Sequence, residues 1–282
     1  MPPIRATTPD GVTLAVHDLG GQGPPAMLVH ATGFHGRVLS PLARSLSGHF
    51  HCVAPDLRGQ GESESPTDLD FNWEGFGADV LTALDALGLE GLVGVGHSCG
   101  GAALLLAEQA RPGTFSSLYC FEPVVFPSEK PPSPDLSEPL ARGARQRREI
   151  FSSRAEAYAN YASKPPLETF DADVLAAYVE FGFEDLPDGT VRLRCRGENE
   201  ARIYENGFRH CAFSRLGLIE CPVVLACGGE SYDFTPGAMG LLAERLPNGR
   251  VEVLAGLGHF GPLEQPGAVA ESVIRALDPP PA

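Results

Sequence analysis

The stretch from Leu92 to Leu104 constrains this chain more than any other. Leu92-Val93-Gly94-Val95 is an apolar, Val-rich run without alternation, the pattern of a parallel strand covered on both faces. It leads through Gly96-His97-Ser98-Cys99-Gly100 straight into Ala102-Ala103-Leu104, residues that favour helix. A strand that feeds a helix through so short a turn strains its central residue and pushes that side chain outward. Glycines two before and two after Ser98 remove the Cβ atoms that would collide there. A serine hydroxyl is thereby presented at a helix N-terminus, where backbone N–H groups favour developing negative charge. With strand before and helix after, Ser98 reads as a nucleophile rather than as part of an ordinary strand–helix turn.

The segments on either side repeat the same rhythm. Ile4 to Thr8 and Val12 to Asp18 flank the turn Pro9-Asp10-Gly11 and read as an N-terminal hairpin. Ala26 to His30 is a strand, followed by a loop of small residues, Ala31-Thr32-Gly33. Leu39 to Leu46 has helical spacing, and His51 to Pro55 is a strand that runs into Asp56-Leu57-Arg58-Gly59. Trp73 to Leu87 is an amphipathic helix closed by Gly88. Ser117 to Glu122 is a further strand, stopped by Pro123. Strands alternating with helices imply a mostly parallel sheet with helices on both faces, and ligands at the carboxyl ends of its strands.

From Pro123 to about Phe213 the rhythm breaks. Pro127 to Pro139 reads as an ordered loop or hinge, Pro187-Asp188-Gly189 as a turn, and Ala141–Phe151, Arg154–Ala162 and Asp173–Phe183 as helices. An insertion directly after a strand end reads as a cap or lid. The expected division is a core of residues 1–122 and 214–282 with a helical cap at 123–213. The core pattern resumes with a strand from Pro222 to Cys227, a helix from about Pro236, a strand at Val251 to Leu254 and a last helix.

Several function classes are excluded by charge and composition. A formal net charge of −15 over 282 residues disfavours nucleic acid and anionic lipid surfaces. No apolar run approaches the length of a membrane span, and the first residues lack a secretory signal. The 7 cysteines are odd in number and include no C-x-x-C pair, so neither a zinc site nor a disulfide framework is expected. The expected setting is the reducing cytoplasm, with no cofactor, no metal and a small-molecule substrate.

A serine nucleophile needs a base, and histidine is the side chain poised for this near neutral pH. Of 8 histidines, His259 lies in a glycine-flanked loop after the last strand, at the sheet edge where Ser98 stands. His97 reads as a packing residue beside the nucleophile, and His30 as a partner of the loop that follows it.

Four motifs in this order resemble the α/β-hydrolase superfamily, in particular its capped, haloperoxidase- and lactonase-like serine hydrolases. They are His30-Ala31-Thr32-Gly33-Phe34, Asp56-x-Arg58-Gly59-x-Gly61-x-Ser63, Gly96-His97-Ser98-Cys99-Gly100 and Gly258-His259-Phe260-Gly261-Pro262. The resemblance runs from about residue 4 to 278. It implies an eight-stranded, mostly parallel sheet with the cap inserted after the sixth strand. It also implies Ser98 as nucleophile, His259 as base, and an oxyanion hole from the backbone N–H groups of Cys99 and Thr32. Asp56 and Arg58 resemble the family's structural turn, without a chemical role.

The resemblance leaves the triad's acid open between two carboxylates. The family's usual Asp follows the seventh strand in Gly-x-x-Asp-x-x-x-Pro, and here Gly229 and Pro236 put Tyr232 in its place with Asp233 one step beyond. Other members carry the acid at the end of the sixth strand, where this chain has Glu122. The activity implied is cleavage of a small-molecule ester, lactone, thioester or related acyl bond. The alternative is a non-catalytic ligand-binding or receptor protein on the same fold, since fold alone does not fix function. Cys99 as a reactive thiol is a second reading of that residue. The sequence is silent on the oligomeric state.

Overall fold

Each apolar run carries alternate side chains to opposite faces, so a strand covered on both sides feeds two cores at once. The computed structural model describes residues 2–66, 68–126, 134–207 and 209–277. Its strands are β1 (Ile4–Thr7), β2 (Thr13–Gly21), β3 (Pro25–Val29), β4 (His51–Pro55), β5 (Leu92–His97) and β6 (Phe115–Phe121). They continue with β7 (Ile150–Phe151), β8 (Phe183–Asp185), β9 (Val191–Leu193), β10 (Val223–Gly228) and β11 (Gly249–Leu254). On β3, Met27 and Val29 enter one buried cluster while Ala26 and Leu28 enter the other, so the sheet has helices packed on both faces.

The main sheet has the order β1-β2-β4-β3-β5-β6-β10-β11. β1 and β2 pair antiparallel, as do β2 and β4, and every pairing from β4 to β11 is parallel. The chain winds outward from β3 to β4 and then returns to lay β5 on the other side of β3. The crevice at the carboxyl ends of β3 and β5 is therefore the switch point where an open α/β sheet takes its ligand. This is an α/β-hydrolase fold, a mostly parallel eight-stranded sheet flanked by helices.

Local signals set the element ends. The helix Trp73–Leu87 starts at Asn72, whose side chain accepts from the Gly75 N–H, and stops at Gly88 in the left-handed conformation. The helix Cys99–Ala110 is buried from Cys99 through Gln109; it is apolar up to Ala107, and its buried Glu108 accepts from the Gly113 and Phe115 N–H groups.

The insertion differs from an all-helical cap. The helix expected over Ala141–Phe151 instead spans Pro134–Arg145, and Ile150–Phe151 is a strand. It pairs with β9, and β9 with β8, in a three-stranded antiparallel sheet whose β8–β9 turn is the Pro187-Asp188-Gly189 sequence. Pairing with a distant segment overrides the local helical spacing of Ile150 and Phe151. Of the loop expected over Pro127–Pro139, residues 127–133 lie outside the described residues, and the remainder is helical, with Pro134 at the first position where proline is tolerated. Phe151, Tyr161, Tyr178 and Phe183 belong to the same buried cluster as Leu28, Val95 and Phe121, so the insertion shares the core of the sheet.

Three fully buried histidines give the fold a pH dependence. Burial holds His30, His35 and His97 below the ordinary histidine range, His35 at about 4. The unfolded chain binds these protons near pH 6.5 and the folded protein only at lower pH, so unfolding takes up protons in between. The contribution of these histidines to stability is therefore fully present above pH 6.5 and is lost as the pH falls toward about 4, by about 1.4 kcal/mol per proton per pH unit. Urea titrations followed by circular dichroism at pH 7.5 and pH 5 are expected to show a lower midpoint at pH 5.

Candidate active site

Five strand ends along one edge of the sheet supply the site. Thr32 follows β3, Ser98 follows β5, Glu122 follows β6, Ser231 follows β10 and His259 follows β11. The turn at Ser98 is strained as its glycines require, with φ 55° and ψ −116°. Strain of this kind costs about 1–3 kcal/mol and persists only where its surroundings fix it. Here the Ser98 N–H donates to the Phe121 carbonyl at 2.9 Å, and the Ser98 carbonyl accepts from Val124 N–H at 3.2 Å. A Cβ on Gly96 would stand 2.7 Å from the Gly100 backbone, and one on Gly100 would stand 2.2 Å from the Val29 carbonyl oxygen. No larger residue fits either position, because the start of the helix lies directly on the end of β3.

The structure joins Ser98, His259 and Glu122 in one line of hydrogen bonds. His259 Nε2 lies 3.2 Å from Ser98 Oγ, and His259 Nδ1 lies 2.6 Å from Glu122 Oε2. Glu122 is 0 % exposed. Its other oxygen accepts from the Gly228 N–H at 2.7 Å and from Ser231 Oγ at 2.5 Å. A buried carboxylate without partners is strongly disfavoured, and three donors here take the place of water. Because a carboxylate can only accept, Nδ1 carries the proton, which leaves Nε2 of a neutral imidazole free to accept from the serine. Glu122 also has positive φ, 46°, held by its N–H on the Ala226 carbonyl at 2.8 Å.

Asp233, the other carboxylate expected to meet His259, is exposed, and among the described residues it has no hydrogen bond to the imidazole. Tyr232, which stands where the family's usual acid would align, is 95 % exposed. The segment instead contributes Ser231 to Glu122 and Phe234 to His259. The Phe234 ring stacks on the imidazole at 4.8 Å and 15°, fixing its plane. Neither role carries a signal in the sequence, since both depend on a segment that is ordinary in composition. His97 does more than pack: its Nε2–H donates to the His259 carbonyl at 2.8 Å and ties the histidine loop to the end of β5.

Backbone donors complete the arrangement. Neither the Cys99 N–H nor the Thr32 N–H has an acceptor among the described residues, and the Cys99 thiol meets the Thr32 hydroxyl. Burial pushes that thiol up to about 12, which keeps it protonated and disfavours the reactive-thiol reading. The loop holding Thr32 is braced by the Asp56–Ser63 turn. His30 Nδ1–H donates to the Ala31 carbonyl at 2.8 Å, and its Nε2 accepts from the Leu57 N–H at 3.0 Å. Gln60 Oε1 accepts from the Gly33 N–H at 2.7 Å, and Asp56 Oδ1 from the Gly36 N–H at 2.6 Å. Arg58 is bound to Asp79 and Asp10, away from the reacting groups.

Residues 26–272 match the description "Alpha/beta hydrolase family". The chain belongs to that family. Among its relatives is RutD of Caulobacter sp. (strain K31), provisionally named a carbamate hydrolase, at 26% identity over 97% of this chain and 98% of that protein. Esterase YbfF of Escherichia coli (strain K12) is 24% identical over 90% of this chain and 93% of its own. A solved structure titled E-2-(acetamidomethylene)succinate hydrolase superposes with TM-score 0.84 at 21% identity, covering 98% of both chains, which speaks to the fold. Among the described residues no helix is long and apolar enough to cross a membrane.

The two candidate acids are separable by charge removal at constant shape. If His259 acts as the base of Ser98, Glu122→Gln is expected to lower kcat on a p-nitrophenyl ester by roughly 10³-fold or more, because an imidazolium formed on His259 would lose its counter-charge. Asp233→Asn is expected to stay within about twofold of the native enzyme, since an exposed side chain away from the reacting atoms contributes little to the barrier.

Proposed function

We propose that this α/β-family hydrolase is a serine hydrolase that cleaves a small-molecule ester, lactone, thioester or related acyl bond. The carrying observation is the unbroken line from Ser98 Oγ through His259 to a fully buried Glu122. In this reading His259 Nε2 takes the hydroxyl proton as Ser98 Oγ attacks the substrate carbonyl. Glu122 stabilises the resulting imidazolium and holds its tautomer, and the N–H groups of Cys99 and Thr32 receive the oxyanion. The imidazolium returns its proton to the leaving group, and the C–O, C–S or C–N bond breaks to leave an acyl-Ser98 ester. Water, deprotonated by His259, then attacks that ester and releases the acid.

The insertion over 123–213 is proposed as the part that chooses the substrate, because it roofs the carboxyl ends of the strands. All seven cysteines are free, which suits the reducing cytoplasm as the place of action. The serine–histidine–carboxylate line supports the catalytic reading over ligand binding alone.

A fluorophosphonate probe is expected to label the native protein at Ser98, and Ser98→Ala is expected to fold normally, escape labelling and lose at least 10³-fold in kcat. Turnover of Ser98→Ala within about tenfold of native, only about 1.4 kcal/mol in the barrier, would overturn the mechanism.

A further inference from the structure

An open cavity of about 730 Å³ lies between the insertion and the strand ends. That volume suits a small organic ligand. Thr32, Phe34 and Phe260 form its core wall and connect it to the reacting groups, since the Phe260 ring packs 5.2 Å from the His259 ring. The wall supplied by the insertion is basic. It carries Arg147, Arg148 and Lys164 against one carboxylate, Glu200, in a chain whose net charge is −15.

Local carboxylates account for only part of this positive charge. Arg148 pairs with Glu156 at 2.7 Å, and Arg147 with Glu200. Lys164 donates to Asn160 Oδ1 at 2.6 Å and has no ion pair among the described residues. Arg147 lies deeper, with its side chain 21 % exposed, and is held on several sides. Its Nη2 donates to the Tyr178 hydroxyl at 2.5 Å and to the Tyr161 hydroxyl at 3.4 Å. Its Nε and one hydrogen of Nη1 have no acceptor among the described residues. A Cβ on Gly33 would stand 2.8 Å from Glu200 Oε1 and 3.5 Å from Arg147 Nη1, so the Arg147–Glu200 pair, carboxylate nearest, lies against the residue that follows Thr32.

We infer that this basic wall is an anion site that selects the substrate: the molecule cleaved carries a carboxylate, bound by Arg147 and met at the cavity mouth by Lys164. The inference rests on the serine-hydrolase reading above. A guanidinium presents a planar fork of donors that matches a carboxylate, and the surrounding tyrosines and Glu200 fix its orientation in advance. Its place beside Gly33 puts a bound carboxylate in the cavity that Thr32 and Phe260 border next to the reacting groups. A neutral ligand of the same shape would leave the Lys164 charge and the free Arg147 donors without a partner.

The test compares half-esters with their neutral counterparts of equal length: mono-p-nitrophenyl succinate against p-nitrophenyl butyrate, and mono-p-nitrophenyl glutarate against p-nitrophenyl valerate. The quantity read is the ratio of kcat/KM, anionic over neutral. For at least one pair the native ratio is expected to be tenfold or more at low salt and to shrink as salt screens the charges. Lys164→Gln is expected to reduce that ratio about threefold. Arg147→Gln combined with Glu200→Gln, which removes the ion pair without stranding a buried charge, is expected to reduce it at least tenfold. A native ratio at or below one, or ratios that neither variant changes, would overturn the anion site while leaving the hydrolase reading intact. Should no ester be cleaved, Ser98 labelling judges the hydrolase reading separately. Calorimetric titration of glutarate into the native protein and Lys164→Gln then judges the site: weaker binding in the variant supports it, and absent or equal binding overturns it.

Discussion

Glu122 sits at the end of β6 with no access to water, and three hydrogen bonds satisfy its carboxylate oxygens. The bonds come from β10, from the loop after it and from the loop after β11, so satisfying one carboxylate fixes three strand ends against each other. The physical demand runs both ways. The imidazole needs an acceptor to set its tautomer, and the buried carboxyl group needs hydrogen-bond partners in place of water. Removing either side would leave the other unsatisfied in a dry place, which is why the arrangement is over-determined rather than adjustable.

The same logic extends to residues that touch no reacting atom. The Asp56–Ser63 turn places a ring of acceptors under the loop after β3, and His30, held as the Nδ1–H tautomer, links that loop to Leu57. In the proposed mechanism the donors of Cys99 and Thr32 would thereby be set in place before any substrate arrives, as electrostatic stabilisation of an oxyanion requires. The strain at Ser98 and Glu122 is borne by backbone bonds between neighbouring strands. The sheet thus acts as the rigid frame, and the site occupies the one crevice where its winding reverses.

The insertion has only a small cluster of its own, Ala141, Ala144 and Ala201 with Tyr204 against them, and otherwise shares the core of the sheet. Its aromatics Phe151, Tyr161, Tyr178 and Phe183 pack into the layer that covers the sheet, and its Arg147–Glu200 pair rests on Gly33. Phe151, Tyr178 and Phe183 are buried in this way, while Tyr161 lines the cavity together with Arg147, Arg148, Lys164 and Glu200. Shape and charge over the site are therefore set by parts of the chain far from Ser98 in sequence.

Local sequence determined a good deal here. The glycines around Ser98, the Val-rich run before it and the alternation of strand and helix specify a parallel sheet with a strained serine at a strand end, because steric limits and periodicity act within a few residues. The ends of the helix Trp73–Leu87 were legible for the same reason. Only the tertiary structure decided which carboxylate meets His259. Asp233 and Glu122 are equally acidic on paper, and the choice depends on which strand end lies under the imidazole and which side chain can be buried with three donors. Pairing across the chain likewise made Ile150–Phe151 a strand instead of the end of a helix. Contacts between residues more than a hundred positions apart, as between Glu122 and His259 or Gly33 and Glu200, leave no periodic trace in the sequence, and it is those contacts that turn a fold into a particular site.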